Sequence, residues 1–175
     1  VCFLPKGLAQ DITGWATRFA QSVTQNAGQF CTKPGLLILL DDAQSQLFLE
    51  KLRTAFDTLE PIPMLHTGIE ARYHQSVSIT QQQSGIHEIT SSRRMPNGAA
   101  VPILQTISAN DFLQNKTLQQ EVFGPYTLAI LCRDLLQLLE VANSLHGQLT
   151  AGLIATPDEL LQHAELIQTL QHRCG

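Results

Sequence analysis

The chain has 175 residues, of which 43% are hydrophobic and 15% charged, and its formal net charge is -4. That length and composition suit one folded, soluble domain with a sizeable core and exclude a disordered chain. The mild acidity leaves no electrostatic footprint for nucleic acid, and no apolar run approaches the roughly eighteen residues of a membrane-spanning helix.

The start, Val1-Cys2-Phe3-Leu4-Pro5, has no initiator Met, no basic stretch and no small-residue cleavage site, so it does not read as a signal peptide. Both this start and the end, His172-Arg173-Cys174-Gly175, read as cut from a longer protein. The run at 1–4 predicts a strand stopped by Pro5 and Gly7. Asp11 is placed to cap a helix in which Ile12, Trp15, Ala16, Phe19, Ala20 and Val23 recur at helical spacing. That helix should stop near Asn26-Ala27-Gly28, which leaves Cys31 on a connection before Pro34-Gly35. Leu36–Leu40 is continuously apolar, the pattern of a strand buried on both faces.

Asp41-Asp42 can cap the next helix. Leu47, Phe48, Leu52, Ala55, Phe56 and Leu59 mark its face, and Pro61-Ile62-Pro63 ends it. Residues 69–85 are polar and Gln-rich and predict a surface helix. Residues 91–100, with Arg93-Arg94 and Pro96-Asn97-Gly98, predict a loop with a tight turn. Strands are expected at 101–107, 126–131 and 150–155, and a Leu-rich helix at 135–145. Pro157-Asp158-Glu159 opens a last helix, with Leu160, Leu161, Ala164, Ile167 and Leu170 on its buried face. Strands alternating with helices predict an α/β fold, a mainly parallel sheet flanked by helices, in a single domain over 1–175.

Cysteines stand at 2, 31, 132 and 174. They are too far apart for a C-x-x-C metal or redox motif and too irregular for a disulfide framework, so reduced thiols in the cytoplasm are expected. No pair of histidines forms an H-E-x-x-H pattern, so no metal is expected. Cys2 and Cys132 lie in apolar runs and read as core residues. Cys31 lies on a turn. Thiolates are stabilised by backbone dipoles or positive charge, and a turn rich in Gly and Pro brings N–H groups close to a reacting oxygen. Lys33 brings a charge nearby, or else is simply solvated. By residues alone, Cys31 stays open between a nucleophile and an ordinary thiol. Glu121 reads as a solvated acid, Phe123 as a core aromatic, and Arg93-Arg94 as a solvated pair.

Two motifs taken together say more. Gly28-Gln29-Phe30-Cys31-Thr32 followed by Pro34-Gly35 resembles the nucleophile motif of the aldehyde dehydrogenase superfamily. Glu121-Val122-Phe123-Gly124-Pro125 resembles that family's E-x-F-G-P motif, in the family's order. Asn143, His146-Gly147 and 149–155 resemble the helix-to-strand segment that follows, where the family often has Tyr in place of His146. The Phe-Cys-Thr-x-Pro-Gly form is most similar to the NADP-dependent branch that oxidises α-ketoglutaric semialdehyde.

The resemblance implies a catalytic domain of aldehyde-dehydrogenase type. In it Cys31 attacks a small-molecule aldehyde to give a thiohemiacetal and then a thioester, which water hydrolyses to the acid. It implies Glu121 on the nicotinamide ribose of NADP or NAD, Phe123 on the nicotinamide ring, and Phe30 and Thr32 flanking the aldehyde pocket. It also implies that the general-base glutamate, the oxyanion asparagine, the dinucleotide-binding domain and the oligomerisation segment of a homo-oligomeric parent lie outside these residues. The isolated piece is then expected to be inactive. Three alternatives stay open: an acylating member or related reductase, a non-catalytic scaffold, and a cysteine hydrolase using His66, His74 or His87.

Overall fold

A computed structural model describes residues 1–60, 62–90 and 99–174. Pro61, the Arg93-Arg94 pair, the Pro96-Asn97-Gly98 turn and Gly175 lie outside the described residues. Its centre is a six-stranded sheet of β1 (Cys2–Phe3), β2 (Leu36–Leu40), β3 (His87–Glu88), β4 (Ile103–Ser108), β5 (Tyr126–Cys132) and β6 (Leu153–Ile154), in the order β3-β4-β5-β2-β1-β6. Every pairing is parallel except β3 with β4, which runs antiparallel at one edge.

The apolar run of β2 is continuous because helices cover both faces of the sheet. Leu37 and Leu39 point to one side, where they meet Phe48, Leu49 and Leu52 of α3 (Ala43–Thr58) and Ala16, Phe19 and Val23 of α2 (Ile12–Thr24). Ile38 points to the other side, with Ile107, Leu128 and Ile130. There it meets α4 (Thr67–Gln81), α5 (Ala109–Gln114), α6 (Leu135–Ser144) and α8 (Ala164–Arg173) through Tyr73, Phe112, Leu138 and Leu166. Asp11, Asp42 and Asp134 cap α2, α3 and α6, accepting from the N–H three residues on at 2.8–2.9 Å. No helix among the described residues is long and apolar enough to cross a membrane.

Several expectations need correction. Pro5 opens a short helix, α1 (Pro5–Ala9), because proline at the first helical position loses no hydrogen bond. In α3, Leu47 faces solvent and Leu49 is buried in its place. The last helix is two, α7 (Pro157–Gln162) and α8, broken at His163 with its non-helical φ -119 and ψ 41. Glu159 is the buried residue of α7. Its carboxylate turns inward to accept from the N–H groups of Lys6 at 2.7 Å, Gly7 at 2.9 Å and Thr156 at 2.9 Å. With that side turned in, Leu160 and Leu161 face water, and the buried residues of α8 are Leu166, Thr169 and Leu170.

Candidate active site

The thiol is placed by an unusual helix ending. After α2 three successive residues take left-handed conformations: Asn26 (φ 48), Ala27 (φ 55) and Gly28 (φ 68). Such a conformation costs about 1–2 kcal/mol at a residue with a Cβ, and buried Ala27 bears it. Gly28 needs glycine twice over, because a Cβ there would run into the backbone of Gly124 and Pro125. The two motifs, 96 positions apart at these glycines, therefore touch backbone to backbone. Gly124 in turn has φ +142, and a Cβ on it would strike the ring of Tyr73. Tyr73 donates its hydroxyl to Val101 O at 2.6 Å and Pro125 O at 3.3 Å, bolting the second motif to α4.

Beyond Gly28 the chain makes a four-residue turn, closed by Lys33 N–H to Phe30 O at 3.1 Å, with Cys31 and Thr32 as its middle residues. Gln29 braces its entry, donating to Asn26 O at 2.8 Å and accepting from Leu65 N–H at 3.0 Å. Cys31 is exposed. It lines a cleft of about 320 Å³ together with Glu121, Lys33, Tyr126 and His146. An adjoining recess of about 110 Å³, also lined by Cys31, adds Thr32, Arg173 and Cys174.

The structure thus brings Cys31 and Glu121 to one cleft and Thr32 to the adjoining recess. Phe30 and Phe123 line neither and are each 38% exposed. Phe123 is therefore not the core aromatic that its sequence context suggests by itself. His66 caps α4 through Nδ1, His74 lies 3.9 Å from Glu70 on the helix surface, and His87 is on edge strand β3; none reaches the cleft. Cys2 and Cys132 are buried, as their apolar context predicts. Burial pushes the Cys132 thiol up to about 12. Among the described residues, no three His, Cys, Asp or Glu side chains gather into a metal-holding group.

Lys33 and His146 escape the linear pattern. Lys33 is half-buried rather than freely solvated. Its ammonium donates to Val122 O at 3.0 Å and Tyr126 O at 3.1 Å, and burial pushes its pKa down to about 8 against the pull of the Glu121 carboxylate. His146 faces the cleft, although nothing in the pattern around it marks a cleft residue. Tyr73 had a signal, since Ile69, Tyr73 and Val77 recur every four residues along α4.

Known proteins resemble this chain along its whole length. The family model described as the aldehyde dehydrogenase family matches residues 9–170. Alpha-ketoglutaric semialdehyde dehydrogenase 2 of Azospirillum brasilense is 31% identical over 176 positions, covering 100% of this chain and 34% of its own. The alpha-ketoglutaric semialdehyde dehydrogenase of Acinetobacter baylyi is 33% identical over 156 positions, covering 88% of this chain and 30% of its own. The chain thus spans about a third of the length of these relatives. The crystal structure of a gamma-glutamyl-gamma-aminobutyraldehyde dehydrogenase from Burkholderia cenocepacia superposes with a TM-score of 0.79 at 21% identity, over 99% of this chain and 36% of that one. At that identity the likeness is one of fold, the mainly parallel sheet between two helical layers.

Proposed function

The chain belongs to the aldehyde dehydrogenase family, and on that premise we propose that Cys31 is the thiol of a nicotinamide-dependent oxidation of an aldehyde to a carboxylic acid. The observation that carries this reading is the seating of Gly28 on Gly124 and Pro125, which puts the thiol and Glu121 on one cleft. In this reading the Cys31 sulfur bonds to the aldehyde carbon, and the carbonyl electron pair moves to oxygen. The Cys31 N–H, engaged by no described residue, holds that oxyanion. A nicotinamide cofactor, when bound, supplies the acceptor for the hydride whose departure leaves a thioester on Cys31. Water then breaks the carbon–sulfur bond, releasing the acid and restoring the thiol.

The residues present fit one end of such a cofactor. Glu121 offers an exposed carboxylate to hydroxyl donors and Phe123 an exposed ring face. The sequence has no G-x-G-x-x-G loop for the phosphates. Phe30 and Thr32 are proposed as flanks of the aldehyde pocket. The proposed substrate is α-ketoglutaric semialdehyde, after the relatives' names, and the proposed cofactor is NADP, after the form of the thiol motif. The reading further takes residues 1–175 as one thiol-bearing domain of a cytoplasmic, homo-oligomeric enzyme.

Two experiments test it. In the full natural protein that carries this sequence, Cys31→Ser should lower semialdehyde-dependent reduction of NADP by about a thousandfold or more; retained turnover would sink the proposal. The 175-residue chain by itself should show no steady-state turnover, because these residues supply neither a base for deacylation nor a platform for the rest of the cofactor.

A further inference from the structure

The mechanism above leaves the Lys33 ammonium without a task, yet it is among the most constrained side chains at the site. Both carbonyls it grips, Val122 O and Tyr126 O, belong to the segment that carries Glu121, 89 and 93 residues further along the chain. Its own N–H closes the turn that carries Cys31. Among the described residues no carboxylate lies within ion-pair distance of it. Lysine is strongly hydrated and keeps its charge in water where it can. Burying it on two carbonyls opposes that preference.

We infer that Lys33 is a positioning residue: it staples the turn bearing Cys31 to the loop bearing Glu121, so that thiol and carboxylate face each other at one fixed spacing. The inference rests on the proposed roles of those two residues and assigns the device that registers them. Gly28 pins the front of the thiol turn by packing alone, without a directional bond to the second motif. Lys33 pins its end with two. The spacing matters because a ring held through Glu121 must meet the carbon bonded to Cys31, and a misplacement of about 1 Å costs about a hundredfold in rate.

The charged and titratable groups around Lys33 are Cys31 on its own turn, Glu121 and the Tyr126 phenol on the gripped segment, His146 across the larger cleft, and Arg173 and Cys174 across the smaller. With burial holding the lysine near pKa 8, it sheds its proton above that pH and the fold no longer bears the cost of burying the charge.

The test uses Lys33→Met, which keeps length without donors or charge, and Lys33→Arg, which keeps both. In the full chain, amide exchange at residues 29–35 should be about tenfold faster in Lys33→Met than in wild type, and near wild type in Lys33→Arg. In the full natural protein, kcat should fall about a hundredfold in Lys33→Met with aldehyde KM within about twofold, and Lys33→Arg should recover most of it. Exchange at 29–35 unchanged by Lys33→Met overturns the staple. If wild type turns over no aldehyde, the proposed function has failed, and exchange still decides the staple. If Lys33→Met does not fold, wild type and Lys33→Arg are compared across pH. Arginine stays charged throughout, so exchange corrected for its intrinsic pH dependence should slow progressively above pH 8 in wild type only. Identical profiles overturn the inference.

Discussion

Gly28 precedes Cys31 by three residues and Gly147 lines the thiol cleft, and their surroundings are opposite. Gly28 has a left-handed φ of +68 and backbone where a Cβ would go, whereas a Cβ on Gly147 meets nothing within 4 Å. Gly28→Ala should therefore cost at least about 2 kcal/mol, from strain plus a clash that only backbone movement can relieve. Gly147→Ala should stay within about 0.5 kcal/mol of wild type. Urea denaturation of the two variants checks both. Alkylation of Cys31 should change in the first and not in the second, because only Gly28 seats the thiol turn. At this scale the sequence made Cys31 and Glu121 legible as a pair, through two short motifs in a set order. It could not show where Lys33 points, since its partners are carbonyls 89 and 93 residues away. Backbone carbonyls carry no residue signature.

Strands β1, β2, β4, β5 and β6 were legible as apolar runs, and α2 and α3 as periodic stretches with an acidic cap, because each of those signals is local; β3, the polar pair His87–Glu88, carries no such run. The inward turn of Glu159 was not legible, because its partners Lys6 and Gly7 lie in α1 at the other end of the chain. Burial works against that carboxylate, but the N–H groups of Thr156, Lys6 and Gly7 outweigh it and hold its pKa below the usual value. The resulting stability is present above the unfolded-state pKa of about 4.3 and is lost as pH falls through the lower folded value. Glu159→Gln keeps the shape and one acceptor but gives up the charge-assisted bonds. It should cost about 1–3 kcal/mol at pH 7 and flatten the acid limb of the stability profile. An acid limb as steep in the variant as in wild type would assign the dependence to other carboxylates. Tyr73→Phe tests the other long-range tie: without its hydroxyl, Val101 O loses a 2.6 Å bond. The expected loss is about 1–2 kcal/mol, with faster amide exchange in the 121–126 segment.

Across the whole molecule the alkaline side sets one group against several. Burial raises Cys2, Cys132, Tyr73 and Tyr126, the last to about 12. Unfolding exposes them to ionise from about 8.5 for the thiols and about 10 for the phenols. In that range the unfolded chain binds fewer protons than the fold, so stability falls as pH rises. Lys33 works the other way. Its folded pKa near 8 lies below its unfolded value. Between the two the unfolded chain holds the extra proton, and this one group adds stability with rising pH. The thiols and phenols outnumber it, so wild type should lose stability overall above about pH 9. The Lys33 contribution appears in a difference. Stability of wild type minus that of Lys33→Met should climb from about pH 8 towards the unfolded lysine value of about 10.4, by up to about 1.4 kcal/mol per unit. Below pH 8 the difference should be flat, since lysine is then charged in both states. A difference flat across the whole range would mean that Lys33 keeps an ordinary pKa in the fold, and that the ammonium at the thiol turn is not the buried group its two carbonyl partners make it.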